Sequence, residues 1–366
     1  MKLQKPQFSK EDKADFPDIL KQRVNEYFRT TNKSRHANLS MKLKSALMLT
    51  LFIAPLVLML AGVITQPWLM FIMWGVMGLG MAGIGTGIMH DALHGVYSKK
   101  QRVNKLLGLT MNLIGANAAV WKIQHNTLHH SFTNIEHADD DIVPPFVLRF
   151  SPNQKRYWIH RFQHIYAWLL YGVSSLFLVT TKTITQLIRF YKTGMVSSRK
   201  EFGKKMLHLG AWKLFYFGYI LVLPMLLLPV SPIMVILMFI TMHLVTGTLL
   251  SAIFQPAHVV PDSVFPDMNK EKKQPWNWTV HQFLTTSNYA PRGKVFSWLI
   301  GGLNYQVEHH LFPNICHIHY GNIAGIVQKT AQEFNVPYHS SRTFFSALRN
   351  HTRLLKQLGR GDRVPA

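Results

Sequence analysis

Long apolar runs alternate along this chain with strongly polar stretches. Two runs, Ser45–His90 and Leu214–Pro261, contain no Lys, Arg, Asp or Glu. A helix needs about 20 apolar residues to cross the roughly 30 Å hydrocarbon core of a bilayer. Each run is more than twice that long, so each is expected to hold two crossings. Turn-forming residues divide them, Thr65-Gln66-Pro67 in the first and Pro229, Ser231 and Pro232 in the second. The predicted spans are therefore about 46–65, 68–89, 212–230 and 233–253. Two further apolar stretches, about 106–120 and 165–180, are interrupted by Asn112, Asn117, Tyr171, Ser174 and Ser175. They are read as helices lying in the membrane interface, with a six-span arrangement as the alternative.

Composition supports this picture. Hydrophobic residues make up 48% of the chain and charged residues only 16%, against about 25% charged in a soluble domain. A formal charge of +23 would suit a nucleic-acid binder if Lys and Arg lined one groove. Here they fill the segments outside the uncharged runs, so no nucleic-acid partner is expected. By the positive-inside bias the N-terminal arm, the 91–213 loop and the 253–366 tail lie in the cytoplasm. The expected fold is all-α and integral to the membrane: four transmembrane helices as two hairpins, both termini cytoplasmic, and a helical cap built from 90–211 and 254–366. The arm 1–45 precedes a single domain, 46–366. Its residues Lys2, Lys5, Lys10, Glu11 and Asp12 leave no apolar core of signal-peptide type, so the first span is expected to target the chain. The destination would be the inner membrane in a bacterium or the endoplasmic reticulum in a eukaryote. The single cysteine, Cys316, excludes an intramolecular disulfide and any Cys-based metal cluster within the chain.

Histidine placement carries the chemistry. His90 and His94 are four apart at the end of the second predicted span, on one face of a helix. His125, His129 and His130 follow in His-Asn-Thr-Leu-His-His, and Gln306, His309 and His310 in Gln-Val-Glu-His-His. Any one cluster is commonplace, but three on the same predicted side of a membrane point to metal. His258, just after the fourth span, returns to the face where His90 lies. His243 is a polar residue within a span and so a functional suspect, but it is too deep to join the others. Neutral imidazole suits iron, zinc, copper or nickel. Eight histidines and an amide exceed the four ligands of a structural zinc, so two metal ions are needed. Asp91, Glu308 and the Asp139-Asp140-Asp141 run are candidates to orient the rings, the last being equally readable as a solvated loop.

These residues resemble the three histidine boxes of the membrane fatty acid desaturase family, at 90–94, 125–130 and 306–310. Gln306 in place of a first histidine is similar to the front-end branch, which desaturates between an existing double bond and the carboxyl end. Gly301-Gly302-Leu303-Asn304-Tyr305, Leu311-Phe312-Pro313 and Thr285-Thr286-Ser287-Asn288 agree with that branch. The resemblance implies two iron ions (Fe2+/Fe3+) held by His90, His94, His125, His129, His130, His258, Gln306, His309 and His310, with Gln306 binding directly or through water. It also implies O2 as co-substrate and a fatty acyl-CoA or acyl-lipid as substrate. The His-Pro-Gly-Gly motif of a fused cytochrome b5 domain is missing at both ends. Electrons are therefore expected from an external donor of cytochrome b5 or ferredoxin type with its reductase.

An unactivated methylene offers no proton that a side-chain base removes at neutral pH, so acid–base catalysis alone does not serve. Chain carbons differ little, and one methylene is worth only about 1–3 kcal/mol in a pocket, so regioselectivity calls for a tunnel of fixed depth. Trp74, Trp121 and methionines of the spans are candidates to line it, and equally ordinary core. Basic residues from Lys155 to Lys205 would meet headgroups, coenzyme A phosphates or an acidic donor. A related di-iron hydroxylase stays open at this point, as does a lipid or metal binder. A His-rich metal transporter, by contrast, would carry its ligands along the spans.

Overall fold

The computed structural model describes residues 6–267 and 273–362. Helices dominate, and only four two-residue strands occur among the described residues, in two parallel pairs: Gln7–Phe8 with Lys273–Gln274, and Asn288–Tyr289 with Ser340–Ser341. Among the described residues, five helices are long and apolar enough to cross a membrane: Leu39–Leu60, Pro67–Leu93, Trp158–Lys192, Arg199–Leu227 and Pro232–His258. This is a membrane protein.

Four of the five overlie the four predicted spans, and the two turns fall at the residues expected. The fifth contains the 165–180 stretch assigned above to the interface. Its polar residues looked like interruptions, but they serve helix packing. Ser174 contacts the Gly247 carbonyl and the Ser251 hydroxyl, and Ser175 donates to the His243 carbonyl at 2.8 Å. A polar side chain whose partner lies on a neighbouring helix costs little in an apolar setting. The 106–120 stretch belongs to a broken pair, Gln101–Leu113 and Ala118–Phe132, bent by 107°. Neither limb has the roughly 20 residues a crossing needs.

The chain forms two compact units. The first holds residues 38–122 and 168–251. Asn38 caps its first helix by accepting from the Met41 N–H, and Pro67 opens the second at a position where the missing N–H costs nothing. Trp74, Met77, Met81, Tyr216, Phe239 and Met242 form its core. His243 is buried there with both ring nitrogens engaged, Nδ1 with the Ser175 hydroxyl and Nε2 with the Tyr216 hydroxyl, each at 2.9 Å. It therefore ties helices together, and, as expected, is not among the candidate ligands.

The second unit holds residues 6–37, 123–167 and 252–362 of the described chain. In helix Phe16–Thr30 the apolar positions recur every four residues, at Phe16, Leu20, Val24 and Phe28, all buried. They share a core with Ile323, Val327 and Ala331 of helix Tyr320–Glu333. Helix Phe344–Arg360 starts on a capping box of Thr343 and Ser346 and buries His351, whose Nδ1 bonds the Val259 carbonyl at 2.8 Å.

Candidate metal centre

Helix geometry sets the first two histidine groups. Helix Pro67–Leu93 widens into a π-turn at Ile84–Ile88, directly before Met89–Leu93. His90 is buried and His94 half-buried, with ring centroids 4.7 Å apart, and each ring lies 5.8 Å from Trp121. His90 Nδ1 is 3.5 Å from Asp91. The second group lies on a π-helical segment, Lys122–His129. Its i→i+5 bonds bring residues five apart over one another, and the Nε2 atoms of His125 and His130 are accordingly 3.2 Å apart.

In the second unit the remaining candidates converge. His129, His258 and His310 each offer a ligand atom within 4.8 Å of the others, and so do His130, His309 and His310. The two triads share His310. The His125 ring stacks on those of His129 and His309, at 5.3 and 5.7 Å. Gln306 begins the short helix Gln306–Leu311 and is buried beneath it.

Four of the histidines are held through Nδ1. His129 Nδ1 donates to Asp139 at 3.0 Å, His310 Nδ1 to the Gln282 amide oxygen at 2.8 Å and His258 Nδ1 to the Thr285 carbonyl at 3.3 Å, while His309 Nδ1 meets the Tyr320 hydroxyl at 3.1 Å. A ring held through Nδ1 presents Nε2 as its ligand atom, as in known metal sites. The Nε2 atoms of His258 and His310 and the amide nitrogen of Gln306 are buried without a hydrogen-bond partner among the described residues. Such orphaned buried polar atoms are costly, and a bound cation would remove that cost for the two rings. The residues thus fit a metal centre.

Electrostatics agree. Burial opposes charge on His129, but the Asp139 and Asp141 carboxylates outweigh it and lift the ring to about 9. Metal binding there must displace that proton. Burial and the surrounding imidazoles push His310 well below the ordinary histidine value, toward the neutral form that binds metal.

The sequence pattern shared by fatty acid desaturases matches residues 66–342. The chain belongs to the fatty acid desaturase family. The desaturase is 36% identical over 361 residues to the acyl-lipid (8-3)-desaturase of Physcomitrium patens, covering 96% of this chain and 73% of that protein. It is 34% identical to two sn-1 linoleoyl-lipid 6-desaturases. The alignment with that of Arthrospira platensis spans 94% of this chain and 92% of the relative. With that of Synechocystis it spans 96% and 97%. It is an enzyme that desaturates fatty acyl chains.

Much of the support around the desaturase's histidines lies on helix Trp278–Thr285, which no histidine motif marks. Trp278, Gln282 and Thr285 follow i, i+4, i+7 spacing and so share one face. From it the Trp278 indole N–H donates to the His130 carbonyl at 3.1 Å, Gln282 accepts from His310, and Thr285 accepts from His258. Polar residues at helical spacing in a buried stretch were the available signal. Asn134, in the left-handed region at φ 59°, donates its side chain to the His258 carbonyl at 3.0 Å and its backbone N–H to Asp139. The Asp139 carboxylate is buried and does orient a ring. Glu308 does not hold a ring in this way: it accepts from Asn288 at 2.7 Å and Tyr338 at 2.8 Å, and burial lifts it to about 7 against those two bonds.

Asp139→Asn removes the charge behind His129 while keeping the shape. Metal affinity, measured by chelator competition, is expected to fall about 10–100-fold, the usual cost of losing such an outer partner. Unchanged affinity would separate Asp139 from the site.

Proposed function

We propose that this desaturase introduces a cis double bond into the acyl chain of a membrane lipid, between an existing double bond and the carboxyl end. The observation that carries the proposal is Gln306 heading the third histidine box. The names of the relatives, acyl-lipid and linoleoyl-lipid desaturases, favour a lipid-bound chain over a coenzyme A ester. Two iron ions would be held by His90, His94, His125, His129, His130, His258, His309 and His310, with Gln306 as a ligand or neighbour. When bound, they supply the O2-dependent oxidation in which two hydrogens leave adjacent carbons and two electrons and two protons complete the reduction of O2 to water. The protein's own part is to hold the rings by their Nδ1 atoms, keep Gln306 and the histidines out of bulk water, and fix the depth of the chain. Electrons come from a separate donor of cytochrome b5 or ferredoxin type with its reductase.

A parity argument supports four crossings. His129 and His258 have ring centroids 4.7 Å apart, so their segments end on the same membrane face. Between them lie three apolar helices, and an odd number of crossings would part the two histidines. Trp158–Lys192 is the least apolar of the five and is the one we assign to the interface. The two hairpins then leave both termini on the site's side, the cytoplasm, with 1–45 as an arm and 46–366 as the desaturase domain.

The test is expression with a compatible reductase system and a supply of saturated and unsaturated fatty acids. Mass spectrometry is expected to find a new double bond on the carboxyl side of an existing one, in intact lipids. A hydroxylated product would overturn the proposal while leaving the metal site standing. Purified protein is expected to carry about two irons per chain, matching its surplus of imidazole ligands over the four of one structural zinc. A fully loaded protein with one zinc and no iron would sink the di-iron reading.

A further inference from the structure

The segment 155–161 and the end of helix Phe344–Arg360 enclose a cleft of about 730 Å³ lined by Arg156, Tyr157, Trp158, Arg161, Gly359 and Arg360. It is built rather than incidental. A Cβ at Gly359 would stand 2.0 Å from the His160 carbonyl oxygen, so glycine lets the two backbones touch and form the floor. Arg156 donates to the Arg360 carbonyl, closing the helix end, and Arg149 donates to the Leu358 carbonyl at 2.6 Å. Lys356 and Arg360 add enough positive charge to help burial depress His164. Among the described residues no ion pair involves Arg156, Arg161 or Arg360. Three guanidinium groups without carboxylate partners call for an anion.

What lies beside the cleft says which anion. Trp158, Phe162 and Ile165 are 82%, 50% and 65% exposed, so an exposed apolar stripe starts at the cleft's edge. A tryptophan and arginines at the head of such a stripe are the mark of the headgroup level of a bilayer. We infer that this cleft binds the phosphate of an anionic phospholipid, with the lipid's chains lying along Trp158, Phe162 and Ile165. Arginine suits this ligand because its planar fork pairs two N–H groups with two phosphate oxygens. The inference rests on the reading that Trp158–Lys192 lies at the interface on the site's side.

The full chain would be reconstituted in nanodiscs of phosphatidylcholine with increasing phosphatidylglycerol, and retained lipid counted by native mass spectrometry. Wild type is expected to retain phosphatidylglycerol selectively. Arg161→Gln with Arg360→Gln, which keeps the Arg156 cap, is expected to bind it about tenfold or more weakly, as the loss of charge-assisted hydrogen bonds implies. Equal retention by wild type and variant would overturn the inference. So would a variant that keeps the lipid but loses reduction by the electron donor, since the cleft would then serve a protein partner. Phe162→Cys carrying a fluorophore tests the interfacial reading separately: quenching by brominated phosphatidylcholine supports it whatever the headgroup selectivity, and no quenching removes it.

Discussion

Replacing His310 by alanine is expected to abolish desaturation and to lower bound iron further than the loss of His258. His310 belongs to both triads, with His129 and His258 and with His130 and His309, so its removal opens both sets of ligands. Losing an outer hydrogen-bond partner costs a metal site about 10–100-fold, and losing a shared ligand is expected to exceed that. Product formation by mass spectrometry and iron by plasma emission are the two measurements, with His258→Ala as the comparison, since it opens only one triad. If His310→Ala kept the iron content and turnover of His258→Ala, the two triads would not be two metal positions.

Gly247→Ala is expected to be the most damaging small change in the membrane-embedded helices. A Cβ at Gly247 would lie 2.3 Å from the Gly172 carbonyl oxygen and 2.6 Å from that of Tyr171. Both obstacles are backbone, which cannot swing aside as a side chain would. Glycine to alanine inside a helix ordinarily gains up to about 1 kcal/mol. Here the overpacking is expected to reverse the sign and cost about 3 kcal/mol, and to loosen the Ser174 and Ser175 contacts beside it. Gly210→Ala is the control, because a Cβ there meets nothing within 4 Å. Thermal midpoints in detergent decide the matter. Gly247→Ala matching Gly210→Ala in stability would mean that the helix pair tolerates separation.

The spans were legible because charge is so costly in a bilayer that its absence alone marks them. Their observed bounds, Leu39–Leu60, Pro67–Leu93, Arg199–Leu227 and Pro232–His258, overlie the predicted ones and run beyond them mainly at the polar ends, where hydropathy carries no signal but the helix continues. Trp158–Lys192 was harder to read. Hydropathy counts Ser174 and Ser175 as polar wherever they point, whereas their cost depends on the neighbouring helix that receives them. The π-segment at Lys122–His129 was also hidden, although the His125, His129, His130 spacing hinted at it: residues five apart align only when the helix widens.

The candidate ligands were likewise within reach of sequence, since a metal imposes residue types and short spacings that survive in one dimension. His125, His129, His130, His258, His309 and His310 come together in one unit as the topology required. Their supports were not within reach. Gln282 stands 28 residues from His310, Tyr320 is 11 from His309, and Thr285 is 27 from His258, separations that no local pattern encodes. A second partner only has to arrive at the right place, and any residue with a suitable oxygen will do. Membrane residence and the histidine set are thus properties of composition and spacing, written by the cost of charge in lipid and the ligand needs of a metal, while the enzyme class came from the resemblance of the three histidine boxes to a family. Which nitrogen of each ring is anchored, which helix buttresses it and which polar residues serve packing were settled only by the tertiary fold, because hydrogen bonds join atoms that are close in space whatever their distance along the chain.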